Sequence, residues 1–214
     1  MPPEVADLSA LVARVRALQD GADGGRVVVG ITGSPGAGKT TLAVRLADAL
    51  GQEAVHLPMD GFHLANATLG RLGRHDRKGA LDTFDGWGFV ALLRRVREET
   101  GHTVYAPSFD REVDEPVAGE IAVEPAHRVV VVEGNYLLVP DEPWGLVRDL
   151  LDEAWFCAAD GDERERRLVD RHTRHGRTVE AATAWAAEVD GRNALVVEAT
   201  RARADLVVSG AIPV

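Results

Sequence analysis

The sequence predicts an α/β fold in which helices wrap a parallel sheet. Short apolar runs rich in β-branched residues alternate with segments whose apolar residues recur at helical spacing, as in βαβ units. The runs contain few polar residues, as expected for strands that are buried on both faces. The strand-like runs are at 26–32, 54–57, 129–132, 154–158 and 206–208, and the helical patterns between them are at 39–50, 86–99, 162–175 and 178–200.

A further helix is predicted before the first of these strands. Leu8, Leu11, Val15 and Leu18 recur at helical spacing, and glycines follow from Gly21 onward. We interpret this segment as a helix that packs its apolar face on the rest of the protein.

The chain has the length and composition of one globular domain. Its 214 residues are 45% hydrophobic and 27% charged, which suffices for a single core. We therefore expect one domain over residues 1–214 with a small lid. The single cysteine, Cys157, excludes an internal disulfide and a multi-cysteine zinc site, and no signal peptide or membrane span is readable. These features predict a cytoplasmic protein.

The charge balance limits the partners that the chain is expected to bind. Lys and Arg number 24 against 34 Asp and Glu, which gives a net charge of −10 at pH 7. This balance predicts neither a nucleic-acid nor a membrane partner, so any phosphate site must be a focused pocket. The only lysines are Lys39 and Lys78, so each role that needs a lysine has two candidates.

A phosphate-binding motif directly follows the first predicted strand. Residues 33–40 match G-x-x-x-x-G-K-[ST], and a helical pattern begins after them. The glycines let backbone N–H groups curl around phosphates, and the helix N-terminus adds the positive end of its dipole. Lys39 is expected to reach the β and γ oxygens, and the Thr40 hydroxyl to hold Mg²⁺. The sequence thus predicts a P-loop fold that binds a nucleotide through Gly33, Ser34, Pro35, Gly36, Ala37, Gly38, Lys39, Thr40 and Thr41.

Two acidic residues follow other predicted strands. Glu133 ends the run at 129–132 and is predicted to hold Mg²⁺ together with Thr40. Asp60 follows the run at 54–57, where an open α/β sheet presents its ligand crevice, and we predict that it is the base that aligns an attacking hydroxyl. An ordinary strand-end or turn residue is the alternative for each.

A candidate lid lies at 162–177. Its arginines fall on one face of a predicted helix, and we predict that Arg167 and Arg171 are catalytic cations that act on the transferring phosphoryl group. Interleaved acidic residues leave open a second interpretation, a solvent-exposed helix with internal ion pairs. The arginines of this face are Arg164, Arg167, Arg171 and Arg174.

The connections at 61–86 and 101–125 are long and rich in Asp, Arg, His and aromatic residues. Connections of this length in a compact domain are commonly functional, so we interpret them as insertions on the acceptor side of the site. The predicted acceptor-binding residues are Asp60, His63, Phe84, Tyr105 and Arg111.

The motifs together favour a kinase that acts on a small molecule. Neither lysine lies in an Asn-Lys-x-Asp motif, by which GTPase switches bind guanine, so guanine specificity is not expected. The chain also lacks the basic surface of a nucleic-acid motor. We expect transfer of the γ-phosphoryl group of ATP, with Mg²⁺, to a hydroxyl of a small polar metabolite. The alternative is a nucleotide-binding regulatory protein or an NTPase without a small-molecule acceptor. A homodimer is left open.

The order of motifs resembles the superfamily of uridine kinases, pantothenate kinases and phosphoribulokinases, and most closely its bacterial nucleoside/nucleotide kinase-like or fructokinase-like branch. This resemblance implies a five-stranded parallel sheet of order 2-3-1-4-5, ATP with Mg²⁺, Asp60 as base, Glu133 at the metal and lid arginines on the phosphates. The motifs that carry it are Gly33–Thr40, Met59–His63, Arg77-Lys-Gly-x-x-Asp82-Thr-Phe-Asp85, Tyr105-x-x-x-Phe109-x-Arg111, Val132-Glu133-Gly134 and Arg174-x-Gly176-Arg177.

Overall fold

The computed structural model describes residues 2–5 and 7–210 and shows an α/β fold. A mostly parallel arrangement of strands is flanked by helices on both faces. The strands are β1 (Glu4–Val5), β2 (Val27–Thr32), β3 (Ala54–Pro58), β4 (Val104–Asp110), β5 (Glu115–Val123), β6 (Val129–Glu133), β7 (Glu153–Ala158) and β8 (Leu206–Ser209). The helices are α1 (Leu8–Gly21), α2 (Lys39–Leu50), α3 (Asn66–Leu72), α4 (Gly86–Glu98), α5 (Gly161–Arg174), α6 (Val179–Trp185) and α7 (Gly191–Glu198).

The central sheet has six parallel strands in the order β1-β8-β7-β2-β6-β3. The expectation of a five-stranded sheet of order 2-3-1-4-5 is therefore corrected. The additional strand, Glu4–Val5, pairs with Val207 and Val208 at the edge of the sheet and extends the order. Two residues are too few to show a strand pattern in the sequence, so only their pairing with β8 identifies them.

Two apolar layers enclose the sheet, because successive residues of each strand point to opposite faces. On one face Val28 and Val130 pack with α4 residues such as Phe89. On the other face Val29 and Trp155 pack with apolar residues of α1 and α2. This burial on both faces explains why the central strands appear in the sequence as continuous apolar runs.

The long helical pattern at 178–200 is interrupted. Residues Ala186–Asp190 form a π-helical turn between α6 and α7. π-helical turns are frequent at functional sites, since the extra residue turns neighbouring side chains to a new direction. Here the turn ends at Asp190, which is buried and faces the cavity described below.

The two long connections contain their own secondary structure. The connection at 61–86 holds α3 and short 3₁₀ turns, and the connection at 101–125 forms an antiparallel hairpin of β4 and β5. Both lie beside the carboxyl end of β3, the edge at which Asp60 follows the sheet. Among the described helices, none combines the length and apolar character needed to cross a bilayer.

Candidate active site

The P-loop connects β2 to α2 in a conformation that requires glycine. Gly36 and Gly38 have φ angles of 79° and 98°, in the left-handed region that side chains disfavour. A Cβ on Gly36 would lie 2.7 Å from the carbonyl oxygen of Arg164 in α5, so the helix packs directly on the loop. Gly38 precedes the first residue of α2, and the backbone N–H groups of that turn are free to face an anion.

Lys39 is the first residue of α2 and is 8% exposed. Its Nζ donates a hydrogen bond to the carbonyl oxygen of Ser34 at 3.2 Å. Burial lowers the pKa of Lys39, while the negative charges of Glu133 and Asp60 oppose that effect. The ammonium group therefore lies at the mouth of the loop with two carboxylates near it.

The remaining loop residues are held by the surrounding elements. The Ser34 hydroxyl donates to Glu198 Oε1 at 2.6 Å, and the Cys157 thiol donates to the carbonyl oxygen of Ala37 at 3.3 Å. Pro35 lines the adjoining cavity, and Thr41 is exposed on the first turn of α2. Side-chain contacts thus fix the outer side of the loop and leave its inner side open.

Glu133 and Thr40 are in direct contact. The Thr40 hydroxyl donates to Glu133 Oε1 at 3.0 Å, and Glu133 is 4% exposed. Burial, together with the charge of Asp60, raises the pKa of Glu133 to about 7, although Lys39 and the Thr40 hydrogen bond act in the opposite direction. A hydroxyl and a buried carboxylate are oxygen donors of the kind that Mg²⁺ prefers.

This pair fits Mg²⁺ when nucleotide phosphates supply further ligands. The described residues contain no group of three or more His, Cys, Asp or Glu side chains able to hold a metal by themselves. Mg²⁺ in kinase sites is held by one or two protein groups together with phosphates and water, so the Thr40 and Glu133 oxygens suffice for this role.

Asp60 lies in the 3₁₀ turn Met59–Phe62 that follows β3. Arg111 Nη2 donates to Asp60 Oδ2 at 3.0 Å. Burial tends to raise the pKa of Asp60, but the positive charges of His63, Arg111 and Lys39 outweigh it, so the pKa is lowered. The carboxyl group is therefore ionised at neutral pH and can accept a hydrogen bond from a hydroxyl.

The β4–β5 hairpin packs directly on the Asp60 turn. A Cβ on Gly61 would lie 2.2 Å from the carbonyl oxygen of Pro107, so only glycine permits this approach. The contact places Arg111, at the end of the hairpin, beside Asp60.

An aromatic wall borders Asp60. The His63 ring lies between Phe84 and Phe109, with centroid distances of 4.0 and 4.6 Å, and its Nδ1 is 2.7 Å from the carbonyl oxygen of Asp60. Burial lowers the pKa of His63, while the charge of Asp60 and the hydrogen bond to its carbonyl oxygen act in the opposite direction. The wall offers one apolar face and one nitrogen to a molecule beside Asp60.

The arginines of the predicted lid, which lie on α5, have different surroundings in the structure. The Arg171 side chain faces the cavity, and among the described residues it makes no hydrogen bond or ion pair. Arg167 Nη1 is 3.4 Å from the carbonyl oxygen of Gly36, on the outer side of the P-loop. Arg174 is 71% exposed and pairs with Asp170. Helix α5 therefore has features of both predicted arrangements. Arg171 is directed into the cavity, whereas Arg174 forms an ion pair on the exposed face.

One cavity of about 660 Å³ brings most of these groups together. Phosphate-loop, acidic and acceptor-side residues line it from different elements, as expected at the carboxyl edge of a parallel sheet. Its lining includes the predicted residues Lys39, Thr40, Asp60, His63, Phe84, Arg111, Glu133 and Arg171.

Comparison with known proteins identifies the family of this site. A profile of the "Phosphoribulokinase / Uridine kinase family" matches residues 28–211. The chain belongs to this family. It is 40% identical, with a TM-score of 0.86, to a crystal structure titled "putative fructose transport system kinase" from Silicibacter sp. TM1040, over 94% of this chain and 98% of that one.

Two curated relatives extend the range of names within the family. The chain is 38% identical over 69% of its length to the Schizosaccharomyces pombe protein named "Putative uridine kinase C227.14", and covers 66% of that protein. It is 29% identical over 67% of its length to a pantothenate kinase of Lacticaseibacillus casei, of which it covers 48%. The chain thus spans 66% and 48% of these two relatives, which are named as kinases of different acceptors.

Two of the residues predicted for catalysis or acceptor binding do not line this cavity. Tyr105 is 61% exposed and is absent from the cavity lining. Arg167 contacts the outer side of the loop and is absent from the cavity lining described above. The roles proposed for these two residues remain predictions.

Other lining residues escaped prediction from the sequence. Lys78, Phe109, Asp190 and Asn193 all line the cavity. Phe109 lies near the end of β4, two residues before the predicted Arg111, and this proximity could have signalled it. The bond from Asn193 to the carbonyl oxygen of Gly79, at 3.1 Å, joins segments 114 residues apart, so no local pattern places Asn193 beside that loop.

Proposed function

We propose that this chain is an ATP- and Mg²⁺-dependent kinase that transfers the γ-phosphoryl group to a hydroxyl of a small, polyhydroxylated metabolite. The observation that carries the proposal is the ionised Asp60 carboxylate, held by Arg111 in the same cavity as the P-loop lysine. A nucleotide switch needs no such carboxylate beside an aromatic wall, whereas a kinase needs one to align the attacking hydroxyl.

Each residue of the site has its own role in the phosphoryl transfer. Asp60 accepts the hydrogen bond of the acceptor hydroxyl, so that its oxygen points at the phosphorus. As the new O–P bond forms and the bond to the ADP oxygen breaks, the hydroxyl proton passes to the Asp60 carboxylate. Lys39 and Arg171 offset the negative charge on the phosphoryl oxygens. When bound, Mg²⁺ would neutralise phosphate charge beside Thr40 and Glu133.

The aromatic wall and Arg111 together favour a polyhydroxylated acceptor. Arg111 has further N–H donors, and the His63 and Phe84 rings present an apolar face. Sugars, nucleosides and pantothenate-like molecules all combine hydroxyl groups with an apolar face. The names of the relatives, which include fructose, uridine and pantothenate, span the same classes.

An acceptor screen tests this proposal. ATP consumption is measured with the purified protein and Mg²⁺ over sugars, nucleosides and pantothenate-like alcohols, and the mass of each product is determined. We expect at least one acceptor to stimulate consumption and to gain the mass of a phosphoryl group. ATP turnover that is the same with every acceptor and without any would support the alternative, an NTPase without a small-molecule acceptor.

Replacement of Lys39 by alanine is expected to remove most of the turnover without unfolding the protein. Loss of one preorganised positive donor at a transition-state oxygen costs about 10²–10³ in kcat. The matched control is Arg94→Ala, which removes a cation from the exposed face of α4. Steady-state rates and thermal unfolding of both variants are compared. A folded Lys39→Ala protein with a near-normal rate would refute the phosphate-loop role.

Replacement of Arg111 by alanine is expected to raise the KM of the acceptor by roughly tenfold, because a positioning contact acts in the ground state as well as in the transition state. The KM of ATP should change little, since Arg111 contacts Asp60 and not the P-loop. Arg71→Ala, an exposed change on α3, serves as the control. A variant with weaker ATP binding and unchanged acceptor KM would place the acceptor elsewhere.

A further inference from the structure

Lys78 is a largely buried cation that lines the cavity on the side of Phe109 and Arg111. Its side chain is 9% exposed, although it belongs to a connection and not to the core. Nζ donates to Asn66 Oδ1 at 2.7 Å and to Asp114 Oδ2 at 2.9 Å, and it also donates to the carbonyl oxygen of Asp114. An ammonium group has three N–H donors, so these contacts use all of them. Lys78 is therefore not available as a ligand for an anionic substrate.

The three contacts join segments that are distant in the sequence. Asn66 begins α3, and Asp114 lies in the turn between β4 and β5. The start of β5 is bound to α3 as well, because the Glu115 carboxylate accepts from the backbone N–H of Asn66 at 3.0 and 3.1 Å. Lys78 thus connects its own loop, the start of α3 and the tip of the hairpin.

The hairpin tip carries side chains of the acceptor wall. Phe109 lies beneath Lys78, with its ring centroid 5.0 Å from Nζ, and contacts the His63 ring. Arg111 reaches Asp60 from the same tip. A displacement of the tip would therefore move both side chains relative to Asp60.

The loop that presents Lys78 is itself anchored on its other side. The carbonyl oxygen of Gly79 accepts hydrogen bonds from the Tyr136 hydroxyl at 2.7 Å and from Asn193 Nδ2 at 3.1 Å. Tyr136 is fully buried in the core. Lys78 therefore connects the hairpin to a loop that is anchored on the core.

We propose that Lys78 is a positioning residue of the acceptor site, which holds the β4–β5 tip so that Phe109 and Arg111 stay in place beside Asp60. This role rests on the proposed kinase function. A misplacement of about 1 Å in a substrate-binding group can reduce a rate roughly 100-fold. Loss of Lys78 should therefore act on the acceptor and leave the P-loop, on the opposite side of the cavity, unchanged.

The test compares Lys78→Met with Arg94→Met, which makes the same kind of change at an exposed position of α4. Hydrogen–deuterium exchange of the amides at 104–123 reports on the hairpin, and the KM values of acceptor and ATP report on the site. We expect faster exchange in the hairpin and kcat/KM for the acceptor lowered roughly 10- to 100-fold, with the KM of ATP within about twofold of wild type. The Arg94→Met variant should match the wild type.

A second variant covers the case in which Lys78→Met fails to fold. Asp114 has a φ of 56°, a conformation that asparagine tolerates, so Asp114→Asn removes the charge opposite Lys78 without disturbing the turn. It should show the same pattern in weaker form. Unchanged hairpin exchange, or equal losses for acceptor and ATP, would overturn the positioning role. If wild type phosphorylates no acceptor, the kinase proposal fails, while the exchange comparison still decides whether Lys78 holds the hairpin.

Discussion

Replacement of Arg171 by alanine is expected to lower kcat by about 10³–10⁵, the range measured for arginines that act on a transferring phosphoryl group. The structure directs this guanidinium into the cavity with no partner among the described residues, while burial lowers the pKa of Arg171. The nearby carboxylates, Asp190 above all, stabilise its charge without forming a direct ion pair, so its N–H donors are available to the phosphoryl oxygens. Single-turnover rates of the variant with saturating ATP and acceptor measure the effect on the transfer itself.

The same helix supplies a matched control for this change. Arg174 lies one turn further along α5, is exposed and pairs with Asp170. Its replacement by alanine should leave kcat and the midpoint of thermal unfolding close to those of the wild type, as is usual for an exposed surface position. If Arg171→Ala and Arg174→Ala behave alike in both rate and stability, α5 is a solvated helix and not a lid that acts on phosphate.

Replacement of Asp60 by asparagine is expected to abolish most of the phosphoryl transfer while ATP binding is retained. General acid–base catalysis contributes about 10²–10⁴ to a rate, and an amide can neither accept the hydroxyl proton nor keep the charge opposite Arg111. Calorimetric titration with an ATP analogue measures nucleotide affinity, and product formation measures transfer.

The control for Asp60→Asn is Asp48→Asn, which makes the same chemical change on the exposed face of α2. We expect this variant to retain the wild-type rate. An Asp60→Asn protein that transfers at the full rate would show that the carboxylate does not align the hydroxyl. Loss of nucleotide affinity together with transfer would instead assign Asp60 to the nucleotide side of the cavity.

The parts of the fold that were predictable have local signals. The valine runs that form β2 and β6 are buried on both faces, and the glycines that precede Lys39 adopt left-handed conformations that other residues avoid. Each signal depends on a few consecutive residues. The strand Glu4–Val5 has no such signal, because it exists only through its pairing with β8, and the predicted sheet lacked it.

The acceptor side shows where local patterns are insufficient. Tyr105 was predicted to wall the acceptor pocket together with Phe84, but it is exposed and does not line the cavity. Lys78 and Asp114 meet across 36 residues, and no spacing rule connects them. Local patterns in the sequence therefore account for the P-loop side of the cavity more completely than for the side of Asp60 and Arg111, which is assembled from long-range contacts.

The fate of the γ-phosphoryl group tests the central claim most directly. The protein is supplied with Mg²⁺, an acceptor that stimulates turnover and ATP that carries ¹⁸O in its γ-phosphoryl group, and the products are resolved by mass spectrometry. We predict that the labelled phosphoryl group appears on a hydroxyl of the acceptor in wild type and that Asp60→Asn does not form this product. Recovery of all the label as inorganic phosphate, whichever acceptor is present, would contradict the assignment as a small-molecule kinase.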